Sequence, residues 1–267
     1  MPNVLQITSS QNPRFKALLQ LRTSKHRRRT GLFLIDGEVE IARAIASGIE
    51  IQSILGLHSS AQLSLDFSEK IGEFLTLSEG LMAKLAYGER TQQLIAVASI
   101  PSRSLSEIKL DREPLVLVLD QLEKPGNIGA CLRTAAAAGV KTTILSDTVC
   151  DIWNPNVIRA SRGAVFGMGL AIATGAEARS WLAENQIAAF AAMIDGPISL
   201  WDCDFRGRTA LVFGNEAAGL GSEWGNPTGE QNLTRFQIPM ENQGEVDSLN
   251  VSISAAVSLY EAARQRT

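Results

Sequence analysis

The stretch Leu115-Val-Leu-Val-Leu-Asp120 holds five apolar residues in a row before its first polar one. A strand with one face in water alternates apolar and polar side chains. A near-continuous apolar run of this length marks a strand buried on both faces, as in a parallel sheet covered by helices. Further strands are predicted over Thr142–Ser146, Ile187–Ile194, Thr209–Phe213 and Arg235–Ile238. An Ala-rich loop and helix fill Gly126–Gly139, and Asn250–Arg264 carries Val251, Ser254, Ala255, Leu259 and Ala262 at helical spacing. The second half of the chain therefore reads as an open, mostly parallel α/β sheet.

A polar, Ser-rich crossing with Pro101 spans 101–113 and divides the 267 residues into a region 1–100 and a region 114–267. The first region opens with a helix at Asn12-Pro13, since proline suits the first helical position. Strands at Leu32–Asp36, Ile49–Leu57, Phe74–Leu77 and Leu94–Ala98 alternate with helices, one of them Glu38–Ser47 stopped by Gly48. This pattern predicts a small α/β/α layer domain.

Composition excludes several classes. No apolar run approaches the ~18 residues of a membrane span, and the start Met1-Pro-Asn-Val-Leu-Gln lacks the layout of a signal peptide. Cys131, Cys150 and Cys203 are odd in number and far apart, which argues against a disulfide framework or a zinc site and fits a reducing cytoplasm. With His26 and His58 as its two histidines, the chain is expected to use neither histidine catalysis nor a metal. Net charge is −3, yet seven of the 25 basic residues (Arg14, Lys16, Arg22, Lys25, Arg27, Arg28, Arg29) fall within residues 1–30, where there is no acid. A local cationic patch on an acidic body suits a protein that meets phosphate at one place; the plainer reading is a solvated helix face.

Three stretches in the second region share a character. They are Asn127-Ile-Gly-Ala-Cys-Leu-Arg133, then Phe213-Gly-Asn-Glu-Ala-Ala-Gly-Leu220, then Ile238-Pro-Met240 followed by Ser248-Leu-Asn-Val-Ser252. Each lies where a strand meets a helix, at the end of the sheet where such folds bind ligands. The first loop has neither the Gly-x-Gly-x-x-Gly fingerprint nor a Gly-Lys-Ser/Thr phosphate cradle, which argues against dinucleotides and nucleoside triphosphates. In this order the three stretches resemble the motifs of the SpoU (TrmH-type) branch of the SPOUT RNA methyltransferases. That family moves a methyl group from S-adenosylmethionine to a ribose 2′-hydroxyl of RNA, and its cofactor carries no phosphate.

The resemblance implies a SPOUT-type open parallel sheet with a C-terminal trefoil knot, a preceding RNA substrate-binding domain like a ribosomal protein module, and a homodimer with sites at the subunit interface. It also implies cofactor contacts from Gly214, Ile238 and Leu249, flanked by Phe213 and Met240. Glycine permits close backbone approach, and Pro239 fixes a bend. Asn127, Arg133, Glu216, Ser248 and Asn250 are the implied catalytic set. If Gly129 begins the helix, Arg133 lies about one turn in and faces the site mouth. A guanidinium holds its proton too tightly to be a base, so orienting a phosphate or stabilising a developing alkoxide is the easier role for Arg133. Glu216 would hold Asn127 or the RNA, or cap a helix. Ser248 and Asn250 would bond a ribose, cap the last helix, or both. Arg159 and Arg162, in Ile158-Arg-Ala-Ser-Arg-Gly163, match a family segment read as an RNA-phosphate contact, beside the basic arm Arg14, Lys16, Arg27, Arg28 and Arg29. The loop 241–247, with three acids, is longer than in typical relatives.

The expected activity is thus S-adenosylmethionine-dependent ribose 2′-O-methylation of rRNA or tRNA, with no metal and no membrane. A non-catalytic RNA-binding or ribosome-associated relative is the alternative; the presence of all five catalytic-set residues speaks against it.

Overall fold

A computed structural model of the chain describes residues 4–57, 73–88, 94–225, 233–241 and 248–267. His58 and residues 242–247 of the acidic loop lie outside them. The chain forms two compact units, one from Met1–Ser102 and Asp151–Gly167, the other from Arg103–Cys150 and Met168–Thr267.

The first unit contains a five-stranded sheet in the order β1-β4-β3-β5-β2, with strands β1 (Val4–Ile7), β2 (Leu32–Asp36), β3 (Ile51–Leu57), β4 (Phe74–Leu77) and β5 (Leu94–Ser99). β4 pairs in parallel with β1 and β3, while β5 runs antiparallel to β2 and β3. The strand β1 is one that the apolar pattern does not announce. The first helix, Pro13–Gln20, starts as expected: the Asn12 side chain accepts from the Arg14 N–H at 2.8 Å and Pro13 takes the first helical position. Its Phe15 and Leu18 join Leu55, Leu75 and Met82 in the core. The basic run forms a second helix, Ser24–Thr30, closed by Gly31 in the left-handed conformation.

The segment Asp151–Gly167 belongs to this unit although its sequence neighbours belong to the other. Its Trp153 ring stands 4.6 Å from that of Phe33, centroid to centroid. Arg27 is 2% exposed, its Nε donating to Asp151 Oδ2 at 2.7 Å and its Nη1 to the Leu21 carbonyl at 2.8 Å. This corrects the sequence reading of Arg27 as an RNA contact: the guanidinium is spent inside the protein. Removing one partner of a buried pair leaves the other charge uncompensated.

The second unit is built on a seven-stranded sheet, β10-β12-β9-β11-β6-β7-β8, in which every pairing is parallel. Its strands are β6 (Leu115–Asp120), β7 (Thr142–Ser146), β8 (Gly169–Ala173), β9 (Ala188–Ala192), β10 (Ile198–Ser199), β11 (Thr209–Phe213) and β12 (Leu233–Gln237). β7 and β11 are buried at every position, as a sheet covered on both faces requires. The order places β7 and β8 on one side of β6 and β11, β9 and β12 on the other. On the latter side the carboxyl ends of β9, β11 and β12 open together. The Val251–Gln265 helix packs on the Pro125–Ala137 helix and on β11. Asp120, fully buried at the end of β6, accepts from Ser146 Oγ at 2.6 Å and from the Gly221 N–H at 2.8 Å. One carboxylate thereby ties β6 and β7 to the loop after β11.

Arg27→Met is expected to lower the stability of the first unit by about 3–5 kcal/mol, the usual cost of breaking a buried ion pair from one side. Urea unfolding followed by tryptophan fluorescence checks this; an unchanged midpoint would show that the pair contributes nothing.

Candidate active site

The loop after β11 turns back on itself. Asn215 and Gly219 exchange two backbone hydrogen bonds, of 2.8 and 2.9 Å. Asn215 Oδ1 accepts from the N–H groups of Ala217 and Ala218 at 2.8 and 3.1 Å, and its Nδ2 donates to the Gln121 carbonyl at 3.0 Å. A Cβ on Gly214 would meet the Gly219 carbonyl oxygen at 2.3 Å and the Leu220 nitrogen at 2.6 Å. Glycine is therefore demanded here by the loop's own backbone. Similarly, a Cβ on Gly196 would meet the Phe236 carbonyl carbon at 2.2 Å, so the turn after β9 lies hard against β12.

Between these turns lies a cavity of about 730 Å³. Phe213, Gly214, Ile238, Met240 and Leu249 line it, as do Glu216 and Ser248. Its walls are more apolar than polar, with Asp195, Asn215, Gln237 and Ser254 among the lining residues. The volume sits within the usual range for a small-molecule site. The segment Ala192–Asp195, which also lines it, is legible in the sequence only as the end of the strand expected over Ile187–Ile194; the strand stops at Ala192, and the released residues form the wall.

At the cavity edge three side chains from two other segments converge on one carboxylate, that of Glu216. Asn127 Nδ2 and Lys124 Nζ each donate to Glu216, one to either oxygen, and Asn250 Nδ2 donates to Glu216 Oε1 at 2.7 Å. Asn250 Oδ1 in turn accepts from the Ser252 N–H at 3.0 Å and from Ser252 Oγ at 2.6 Å. Asn250 is thus both the cap of the last helix, one of its two sequence readings, and a donor to Glu216. The motifs do not single out Lys124, although it stands directly before Pro125. Ser248 lines the cavity and makes no hydrogen bond among the described residues.

Arg133 departs from expectation. The helix begins at Pro125, not at Gly129, so Arg133 is its ninth residue and stands two turns in. It is exposed, does not line the cavity and makes no ion pair among the described residues. Six residues of helix, about 9 Å of rise, separate it from Asn127. Behind this helix face, burial and then the charge of Glu216 push the Cys131 thiol up to about 12, and burial with the charge of Asp202 pushes Cys203 up to about 11. Both thiols stay protonated and are poor nucleophiles. No group of three or more metal-ligating side chains occurs among the described residues.

The remaining predicted residues lie in the first unit. Arg14 pairs with Glu73, one bond measuring 3.0 Å. Lys16, Arg28 and Arg29 are exposed and carry no ion pair among the described residues. Arg162 is exposed with a φ of 51°, and its carbonyl accepts from Arg43 Nη1. Arg159 is exposed and stands 5.8 Å from the Tyr87 ring centroid.

Comparisons with known proteins agree with this layout. The family model described as SpoU rRNA Methylase matches residues 114–260, and that of the MRM3-like substrate binding domain matches residues 12–96. A 23S rRNA (uridine(2479)-2′-O)-methyltransferase of Streptomyces viridochromogenes is 28% identical over 99% of this chain and 94% of its own. A crystal structure of an RNA 2′-O ribose methyltransferase is 36% identical, with a TM-score of 0.81 over 98% of this chain and 99% of that one. An S-adenosylmethionine-bound rRNA methyltransferase from Sinorhizobium meliloti is 27% identical, with a TM-score of 0.87 over 98% of both chains.

Gly214→Ala is expected to weaken S-adenosylmethionine binding roughly tenfold or more, because overpacking costs about 1–3 kcal/mol and each 1.4 kcal/mol is tenfold. Titration calorimetry with the full chain reads this directly. Native affinity in the variant would mean that the loop after β11 is not a wall of the pocket.

Proposed function

Because this chain belongs to the SpoU rRNA Methylase family, we propose that it methylates a ribose 2′-hydroxyl of ribosomal RNA, with the pocket behind β9, β11 and β12 holding S-adenosylmethionine. The observation that carries the reading is the convergence of Asn127, Glu216 and Asn250 at the edge of a cavity lined by Gly214, Ile238 and Leu249. The cavity suits that molecule: apolar walls for the adenine, exposed backbone and a few polar atoms for its ribose and amino-acid end, and no cradle for phosphate. When bound, the cofactor supplies an electrophilic methyl group on a sulfonium.

The chain's own residues have modest demands to meet: bring the hydroxyl into line and favour loss of its proton. Glu216 accepts hydrogen bonds on both of its oxygens. Its role is to hold the amides of Asn127 and Asn250 toward the ribose. Ser248 adds a hydroxyl to the same rim. Arg133 grips the phosphate of the target nucleotide and stabilises the charge that develops on the 2′-oxygen. The second unit's C-terminal loops form the trefoil knot of the family. Ile253 and Tyr260, 51% and 55% exposed, share helical spacing with Val257 along the last helix and make an apolar stripe beside the site. That stripe supports a homodimer. The first unit binds RNA through Lys16, Arg28, Arg29, Arg159 and Arg162, with Arg14 sharing its charge with Glu73. Among the described residues no helix is long and apolar enough to cross a membrane, and we assign the enzyme to the cytoplasm with its rRNA.

Mapping of 2′-O-methyl groups in cellular rRNA with and without the gene should reveal one missing site, restored by the native gene. Arg133→Ala should fail to restore it, with turnover in vitro lowered roughly 10²–10³-fold, the worth of one oriented transition-state donor, and with cofactor affinity unchanged. Identical methylation maps would overturn the function, and near-native turnover by Arg133→Ala would overturn the role of Arg133.

Neutralising Arg28 and Arg29 together should lower the slope of log RNA affinity against log salt by about 1.4–1.8 units. A filter-binding salt titration that gives the native slope would leave both as solvated side chains.

A further inference from the structure

A second cavity, of about 310 Å³, lies wholly within the first unit. It opens where the end of β2 meets the Glu38–Ala46 helix, and the short helix Pro155–Ala160 closes it from the other side. Tyr87 and Arg159 line it, with Pro155 and Ile158 as apolar wall and Glu38 and Glu40 opposite. The set is held rigidly. Asn156 Nδ2 donates to the Tyr87 hydroxyl at 2.8 Å, and Arg159 Nη2 donates to Asn156 Oδ1 at 3.2 Å. The carboxylate of Asp36 is consumed by Arg22, with both bonds at 2.6 Å, and by the Tyr87 N–H at 3.2 Å. Arg22 also stands 5.9 Å from the Tyr87 ring centroid.

The polar groups left over are complementary to a ligand of mixed character. Arg159 has no carboxylate partner among the described residues, and neither Glu38 nor Glu40 has a cationic one, although all three line one cavity. An occupant must bring donors to the glutamates, an anion to the guanidinium and a flat apolar body to Pro155, Ile158 and Tyr87. An unpaired nucleotide has all three. Single-stranded RNA is read in this way, by bases splayed from the helix, stacked on aromatic or guanidinium planes and bonded along their Watson–Crick edges. The bases are not equivalent before a carboxylate. Guanine offers two adjacent donors, N1–H and the 2-amino group, to its two oxygens. Adenine and cytosine offer one donor beside an acceptor, and uracil one donor between two acceptors, each of which repels it.

We propose that this cavity takes one unpaired guanosine of the RNA substrate, the base edge on the half-buried Glu40, the 5′-phosphate on Arg159 and the ring against Tyr87. This rests on the RNA-methylating reading above but concerns a nucleotide held by the first unit.

The test uses the full-length protein and fluorescent heptamers of uridine carrying guanosine, inosine or uridine at the centre, read by anisotropy. The guanosine heptamer should bind at least tenfold more tightly than the uridine one. Inosine, which lacks the 2-amino group, should fall between. Glu40→Gln, close to isosteric, should erase the guanosine preference, and Arg159→Ala should weaken both heptamers. Calorimetric S-adenosylmethionine binding, expected to be native in both variants, reports that they are folded. Equal affinity for guanosine and uridine, or a preference that survives Glu40→Gln, would overturn the proposal. Methyl transfer to rRNA is scored separately: its failure beside intact guanosine selectivity would count against the enzyme reading and not against this pocket.

Discussion

The Glu216 carboxylate is the point on which the second unit's ligand end depends. It draws together Lys124 and Asn127 from the segment after β6, its own loop after β11, and Asn250 at the head of the last helix. None of those residues lies in a strand: Asn127 is in the first turn of its helix, Asn250 caps another, and Glu216 is in a loop. A charge-assisted bond to a shared acceptor is stronger than a neutral one and sets orientation as well as distance. Without the carboxylate, the amides of Asn127 and Asn250 and the Lys124 ammonium would lose the acceptor they share. Positioning of the two amides, rather than proton transfer, follows from that arrangement.

Asp120 has the corresponding role deeper in the unit. It is wholly buried, and its two oxygens take Ser146 and the backbone of Gly221. Burying a carboxylate is costly unless it is fully bonded, and here the bonds hold the far end of the same loop whose near end bears Glu216. The loop is consequently pinned at both ends by acids, one in the core and one at the rim, with the Asn215–Gly219 bridge between them. A binding wall built from a loop needs such pinning, because no strand ladder holds its shape.

Much of this is legible in the sequence, for local reasons. Five apolar residues in succession set β6 and hence the covered parallel sheet, and Gly, Asn and Ser at strand-to-helix junctions mark the cavity's rim. What escapes depends on partners distant in the chain. Arg27 looks like its neighbours Arg28 and Arg29, and only Asp151, 124 residues on, removes it from the surface. Gly214 reads as room for a ligand, but the atoms it makes room for belong to Gly219. Gly129 looks like a helix start and would put Arg133 one turn in; Pro125, with its preset φ and missing donor, is the better signal. The strand β8, Gly169-Leu-Ala-Ile-Ala173, is a short apolar run rich in small residues that favours neither period.

The membership of Asp151–Gly167 in the first unit has a consequence for heredity as much as for folding. The polypeptide passes between the units at 102/103, 150/151 and 167/168, so a single cut cannot separate them into complete halves. A gene fragment ending at the first crossing would encode a sheet whose Phe33 lacks Trp153 and whose Arg27 lacks its counter-ion. Recombination that exchanges one unit for a homologous one must then bring a short internal cassette along with it. The two modules are expected to descend together, their histories stitched by seventeen residues that are encoded in one and folded with the other.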